Sequence, residues 1–576
     1  MVNAYETFPH LLAPLQIGST YFRNRMFCAP TGHTDILDSG QPSHDAIMYF
    51  ERKAMGGAAT ITTGEVNVDP DEMNPGRWPR DIVKRSNYNY PRLASAVARH
   101  GAVPVIELQF AGVMSRLRGN YKKDEPGWGP VDMTMRWGKV RAMTEERFAE
   151  LIEGYGKAAL AAKKAGFGMV TLHGAHGWGL QQFMSPYMNT RTDRWGGNTE
   201  NRCRLAVMAI DEIHRVCGRD FPVEIRISGT EVTSDGYGVD EACRIAEQLD
   251  GHADIIHVSV GGVNHSNESF ARTHVSMFYP QGRNVEYAAE IKKHVKKSLV
   301  GTVGGLSDPY FMEEILASGK ADIVYMAREL ICDPDMPNKV RLGKVEEIRK
   351  CMRCLTCFSE CMNHGDFFCA LNPEISDESE QKYQRPPAKP KKVLIAGGGI
   401  AGMEAALTCA KRGHEVILCE KTDRLGGVLR CEDGVPFKKH LKEYIEQQVR
   451  LISREDIDVR LTTPVTEELA RKEAPDVIIA ALGSNPLIPK IPGIGGANVI
   501  SAEELYTAPE KAGRKVVILG GGLVGTELAI YLGEKGHDVT ILEMLTRLNA
   551  GDNSIHKQAI DLQIERLGIK TALGTK

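Results

Sequence analysis

Eight short apolar runs dominate the first 345 residues. They are RMFCAP (25–30), AATITTG (58–64), VPVIELQ (103–109), GMVTLH (168–173), VEIRIS (223–228), DIIHVSV (254–260), LVGTV (299–303) and DIVYMAR (322–328). Each gap between them is long enough for a crossover helix. Runs that are apolar without alternation read as strands buried on both faces, which is the mark of a parallel sheet. Eight such units in succession close into a barrel rather than spread as an open sheet. The expected fold class is therefore α/β, with an N-terminal (β/α)8 TIM barrel over 1–345. Long connections after the third and fourth strands are expected to shape a mouth, with loops 113–142 and 264–285 setting its form.

At 576 residues the chain exceeds one ordinary core, so several domains are expected. Hydrophobic residues make up 42% and charged residues 25%, the balance of a globular protein. A net charge of −3 implies no basic face for nucleic acid. No apolar run reaches the roughly 18 residues of a membrane span, and the start lacks a basic stretch before an apolar one. The expected location is cytoplasmic, with no membrane partner. Thiols stay reduced there, so clustered cysteines point to metal or redox chemistry.

Five of the 13 cysteines crowd into CMRCLTCFSECMNHGDFFC (351–369). Cys351, Cys354 and Cys357 form C-x2-C-x2-C, followed by Cys361 and Cys369. Zinc with His364, an iron–sulfur cluster, or no metal are all open. The compact run with one distant cysteine favours a [4Fe–4S] cluster, because structural zinc sites pair two knuckles across a longer spacer. A charged, proline-bearing stretch (376–390) then reads as a linker. Beyond it the strand KVLIAG, the loop Gly397, Gly399, Gly402, a helix, and a strand ending at Glu420 form one dinucleotide-binding unit. Gly520, Gly522, Gly525 and Glu543 repeat it. Such glycines let a pyrophosphate approach a helix N-terminus, and the acid accepts from a ribose hydroxyl. An acid in the second unit favours NADH over NADPH.

Four motifs in order make the chain resemble the Old Yellow Enzyme family, in its long three-domain branch. They are HGAHGWGLQQFMSPYMNTRTDRWGGNTENR (173–202), GGLSDP (304–309), MARELICDPDMPNK (326–339) and CMRCLTCF (351–358). That branch includes 2,4-dienoyl-CoA reductase, trimethylamine dehydrogenase and enoate reductases of anaerobic bacteria. The resemblance implies FMN in the barrel, a [4Fe–4S] cluster on Cys351, Cys354, Cys357 and Cys369, FAD in 391–510, and NADH in 511–576. The cluster segment would be 346–375. The resemblance further implies that Ala29, Pro30 and Thr31 close the first strand under the flavin ring. Gly64 would end the second strand. Gln109 and Arg226 would meet the ring's pyrimidine side, and Gly304, Gly305, Ala327 and Arg328 the phosphate.

His173 and His176 match the family's pair that binds a carbonyl or carboxylate oxygen. His265 resembles a histidine that assists protonation. The family often places a tyrosine where Trp178 stands, and an indole is no general acid. Tyr187, Tyr237 or water would then supply the proton. The implied activity is NADH-dependent reduction of the C=C bond of a small unsaturated carbonyl compound: hydride to FAD, single electrons through the cluster, and hydride from FMN. An oxidative dehydrogenase or desaturase and an electron-transfer subunit are the alternatives. A homo-oligomer is left open. The chain is also expected to stop short of the segment that completes the FAD site.

Overall fold

The computed structural model describes residues 3–32, 40–69, 82–83, 88–118, 126–135, 138–263, 267–365, 367–551 and 553–575. The chain divides into two compact units, 1–379 and 380–576.

In the first unit eight parallel strands close a barrel: β1 (Met26–Cys28), β2 (Thr60–Asn67), β3 (Val103–Gln109), β4 (Met169–Gly174), β5 (Val223–Ser228), β6 (Ile255–Ser259), β7 (Leu299–Val303) and β8 (Ile323–Met326). All eight runs expected from the sequence are strands, and β8 pairs back onto β1 to close the ring. β3 and β4 are buried along their whole length, as their unbroken apolar runs require. The largest boundary difference is three residues. β2 does not end at Gly64 but runs on to Asn67, with a register shift against β3 between Thr62 and Glu65. The glycine sits inside the strand, at an irregularity that a glycine tolerates.

A hairpin, Leu15–Ile17 paired with Thr20–Phe22, precedes the barrel. Its Ile17 and Phe22 pack with Phe27, Val103, Val105, Met169, Ile255 and Ile323 in an apolar core. Because strand side chains alternate, the inward positions beyond these are Glu107 on β3, Thr171 on β4, Glu224 on β5 and His257 on β6. Here the interior turns polar: His257 Nδ1 meets Glu224 at 2.9 Å and Tyr325 Oη donates to Glu224 at 2.5 Å. The next inward layer, Gln109, His173, Arg226 and Ser259, lies at the C-terminal strand ends, where barrels build sites.

Three outer helices show why the chain folds this way locally. α1 (His44–Met55) starts at Ser43, whose hydroxyl accepts from the Ala46 N–H. α2 (Glu145–Ala165) starts at Thr144, with Glu145 and Glu146 in its first turn, and ends at Gly166 with φ +97°. α3 (Thr199–Cys217) starts at Asn198. The connection after β3 carries its own three-stranded sheet, Gly127–Gly129, Met133–Met135 and Gly138–Ala142. After the barrel, the cysteine segment leads into α4 (Thr356–His364).

The second unit holds two parallel sheets. One, in the order β11-β10-β9-β12, comprises β9 (Lys392–Ala396), β10 (Glu415–Cys419), β11 (Ile457–Arg460) and β12 (Val477–Ala480). The other comprises β13 (Lys515–Leu519), β14 (Asp538–Leu542) and β15 (Lys570–Ala572). α5 (Ile400–Lys411) follows β9, and α6 (Leu523–Glu534) follows β13. The order 3-2-1-4 around β9 is that of a mononucleotide-binding half. No helix among the described residues is long and apolar enough to cross a membrane.

Candidate active site and cofactor sites

A cavity of about 380 Å³ opens at the C-terminal end of the barrel. Pro30, Thr31, Gln109, His173, His176, Trp178 and Arg226 line one part of it. Gly304, Gly305, Ala327, Arg328 and Arg353 line another. His173 and His176 stand edge to face with ring centroids 5.1 Å apart, and Trp178 lies 6.0 Å from His173. His176 takes φ +57°, a left-handed backbone that is strained for a histidine and places its ring against the wall. Its Nε2 lies 2.8 Å from Ser259 Oγ, which also accepts from Arg226 Nη2 at 3.3 Å. Burial, and then the Arg226 charge, hold the His176 imidazole well below its ordinary pKa, so it is neutral.

The cavity wall carries buried polar atoms without a hydrogen-bond partner among the described residues: Arg226 Nε, Arg328 Nη1, Arg353 Nε and Asn284 Oδ1. Leaving such groups bare costs roughly 1–3 kcal/mol each, so the wall is built for a polar occupant. Arg328, Arg353 and the left-handed Gly305 (φ +68°) gather positive charge and backbone at one end. That end fits a phosphate, and the Gln109–Arg226 end fits a polar ring. FMN has both features.

Cys351, Cys354, Cys357 and Cys369 line a second, smaller cavity, together with Cys332 and Arg328. Arg353 (φ +59°) and Leu355 (φ +63°) are left-handed, and these two reversals bend the Cys-x-x-Cys-x-x-Cys run around it. Burial pushes the Cys351 thiol up to about 12 and those of Cys354 and Cys357 upward too, with Arg328 opposing. Thiolates in such a place need a cation to compensate them. Among the described residues no three His, Cys, Asp or Glu side chains gather closely enough to hold a single metal ion. Four cysteines lining one cavity form the donor set that a [4Fe–4S] cluster would use. Cys361 is elsewhere: it lines the barrel cavity, its Sγ 3.9 Å from Gly32 O.

In the second unit, each glycine loop turns from strand to helix. A Cβ on Gly402 would stand 1.8 Å from Gly397 O, and one on Gly525 would stand 2.0 Å from Gly520 O. A Cβ on Gly399 would meet only Gly427 Cα at 3.8 Å, and one on Gly522 would meet nothing within 4 Å. The last glycine of each motif thus closes the strand against the helix, while the middle one leaves open space at the helix N-terminus for a pyrophosphate. Glu420 accepts from the Gly398 N–H at 2.6 Å and the Thr422 N–H at 2.9 Å. Glu543 likewise accepts from Gly521 and Leu545, at 2.6 and 2.8 Å. Both acids therefore brace their loops, leaving further lone pairs for a ribose.

Residues 10–347 match the family model described as NADH:flavin oxidoreductase / NADH oxidase family, and residues 391–576 match that of pyridine nucleotide-disulphide oxidoreductase. The chain belongs to the NADH:flavin oxidoreductase / NADH oxidase family. A NADH oxidase of Thermoanaerobacter brockii is 34% identical, covering 98% of this chain and 88% of that one. A cinnamate reductase of Clostridium sporogenes is 31% identical, covering 94% and 83%. The solved complex of 2-naphthoyl-CoA reductase with 2-naphthoyl-CoA superposes with a TM-score of 0.92 at 27% identity, covering 98% and 88%. The chain is an oxidoreductase with flavin- and nicotinamide-binding domains.

Within this flavin oxidoreductase, the structure gathers most of the barrel residues singled out by sequence around one cavity, but not all. Ala29 is buried, its N–H donating to Met326 O, and Gly64 lies within β2. His265 and residues 119–125 of the loop 113–142 lie outside the described residues. Tyr187 is exposed, and Tyr237 is buried with its hydroxyl bonded by Gln181. Sequence reasoning missed Arg353 and Cys332. It also missed His274, stacked between Phe270 and Phe358 on the cavity wall at 4.4 and 4.5 Å. The Arg353 signal was present, since it sits inside the cysteine motif.

Proposed function

We propose that this enzyme uses NADH to reduce the C=C bond of a small, conjugated carbonyl compound in the barrel cavity. The relatives support this substrate class through cinnamate and 2-naphthoyl-CoA, both of which carry a carbonyl conjugated to carbon–carbon unsaturation. The division of labour is 1–345 for FMN and substrate, 346–375 for the cluster, a linker to 390, 391–510 for FAD and 511–576 for NADH. When bound, FAD would accept hydride from NADH, a [4Fe–4S] cluster would carry single electrons, and FMN would give hydride to carbon.

One observation carries the reading: Arg328, Cys351 and Cys357 line both the barrel cavity and the cysteine cavity. The two sites share a wall, so a one-electron carrier and a ring in the barrel would be neighbours.

The chain's own groups supply binding and charge. The Ala175 N–H donates to His173 Nδ1 at 3.4 Å, which sets the ring hydrogen on Nε2. Arg226 can only donate, so Ser259 Oγ accepts from it; with the Ser259 proton turned to His176 Nε2, the hydrogen of His176 lies on Nδ1. Two neutral imidazole N–H groups then stabilise negative charge on the carbonyl oxygen as hydride arrives. Trp178 cannot protonate the α-carbon; we assign that step to His274, a titratable side chain on the cavity wall.

The test is anaerobic purification followed by iron, sulfide and flavin analysis, and assay with NADH against enones, cinnamates and enoyl-CoAs. Cys354→Ser is expected to lose iron and NADH-driven alkene reduction together. Failure of the unaltered enzyme on every activated alkene overturns the reading.

A further inference from the structure

Lys53 is 2% exposed, an unusual place for an ammonium group. It projects from α1, one turn beyond Tyr49. Its Nζ donates to Tyr49 Oη at 2.6 Å and to Thr31 Oγ1 at 2.9 Å, and it lies 3.9 Å from the Tyr49 ring centroid. Tyr49 Oη also donates to Thr31 Oγ1, at 3.2 Å. Thr31 in turn lines the barrel cavity.

Counting donors makes this arrangement directional. An ammonium has no acceptor, so both Lys53 bonds run outward. A threonine hydroxyl has two lone pairs and one hydrogen. Lys53 and Tyr49 occupy both lone pairs of Thr31. With the Tyr49 proton so placed, the Thr31 hydrogen is left to be donated elsewhere, and Thr31 lines the cavity. A threonine left to itself could turn either its hydrogen or a lone pair toward a ligand. In this arrangement it is a donor, with a buried cation bonded to it.

We propose that Lys53 is a positioning residue which, with Tyr49, locks the Thr31 hydroxyl as a hydrogen-bond donor to the flavin ring and biases the site toward the electron-rich, reduced ring. The inference rests on the reading of the cavity as the FMN site. A cation in a buried setting acts strongly on a neighbouring ring that gains charge on reduction, because little water screens it. Desolvating that cation costs stability, and the Tyr49 and Thr31 bonds recover only part of it. A purely structural role would be filled as well by an apolar side chain.

The experiment titrates the full-length apoprotein anaerobically with FMN, first oxidised and then dithionite-reduced, and compares the two dissociation constants. In Lys53→Met, reduced FMN is expected to lose about tenfold more affinity than oxidised FMN, which corresponds to about 30 mV for a two-electron couple. Lys53→Arg restores the ratio. Thr31→Val changes it as much as Lys53→Met does, and the double variant changes it no further. Tyr49→Phe keeps the volume, removes one donor to Thr31 and shifts the ratio about threefold; it decides the matter if Lys53→Met does not fold. A ratio unchanged within twofold, or additive losses in the double variant, overturns the inference while leaving the FMN reading intact. An unaltered protein that binds FMN in neither state overturns both.

Discussion

The barrel and the nucleotide-binding unit are both parallel α/β structures, yet they make sites in opposite ways. β3 and β4 are buried from end to end, and the cavity above them is assembled from side chains: His173, His176, Arg226 and Arg328. In the second unit, β12 and β13 leave alternate side chains in solvent, and the sites are assembled from main chain at the strand–helix turns. Closing a sheet removes its edges and commits its interior, so chemistry has to be placed in side chains at the strand ends. An open sheet offers helix N-termini, where backbone N–H groups do the binding and side chains matter chiefly by being absent. Substituting a side chain should therefore change the barrel's chemistry without its fold, whereas adding one should harm the other unit's fold first.

The largest effect is expected from Gly402→Ala. A methyl 1.8 Å from Gly397 O has no room, and the clash is with backbone that cannot rotate away. The cost should reach about 3 kcal/mol or more, the upper range for overpacking. The variant should lack FAD and expose 391–576 to limited proteolysis, while FMN in the barrel stays. Full FAD stoichiometry in this variant would break the contrast.

His173→Ala tests the other side. Removing one donor to a developing oxyanion lowers turnover by about a hundredfold, near 2.7 kcal/mol. FMN content and melting behaviour should not move. Loss of FMN, with turnover per bound flavin unchanged, would make His173 a binding residue.

A pH effect sharpens the account of the barrel. Burial pushes the Glu231 carboxyl up to about 7, against bonds from the Tyr237 N–H at 3.1 Å and the Ser185 hydroxyl at 2.9 Å. Its ordinary value is 4.5. Between these values the folded protein holds a proton that the unfolded chain has lost, so stability falls as pH rises through this window, and the deficit is complete above pH 7. At about 1.36 kcal/mol per unit the deficit comes to about 3.4 kcal/mol. Thermal melts of Glu231→Gln and the unaltered protein should therefore diverge in favour of the variant between pH 5 and pH 8. A difference independent of pH refutes the assignment.

The same contrast explains what the sequence disclosed. Burial on both faces forces uninterrupted apolar runs, so all eight barrel strands were legible. Glycine spacing is legible because it encodes a clash, as at Gly402 and Gly525. Gly64 was misplaced because a register shift prolongs β2 without leaving a composition signal. Lys53 was invisible: in FERKAM it reads as a solvated helix residue, and only the packing of α1 shows it to be buried. Cys332 lay outside the cysteine motif and looked like any small buried hydrophobe, yet the fold brings it to the same cavity. Contacts between residues far apart in sequence are set by tertiary packing, which no local pattern records.

The smallest effect on stability is expected from Gly399→Ala, three residues before the position where alanine should be most harmful. Gly399 caps α5 with φ −72° and ψ −176°, a conformation any residue adopts, and its Cβ would meet only Gly427 Cα at 3.8 Å. Two terms then oppose. Replacing glycine restricts the unfolded chain and stabilises by about 0.4–1 kcal/mol. Alanine is a poorer N-cap than glycine by a comparable amount. The net change in melting should stay within about 0.5 kcal/mol. The methyl nevertheless stands where a pyrophosphate would approach the backbone, so FAD affinity should fall steeply in a protein that is otherwise folded. Equilibrium binding of FAD beside a melting curve separates the two readouts. If stability and affinity fall together, the middle glycine serves the fold and not the ligand, and the distinction between the two kinds of glycine in each loop is lost.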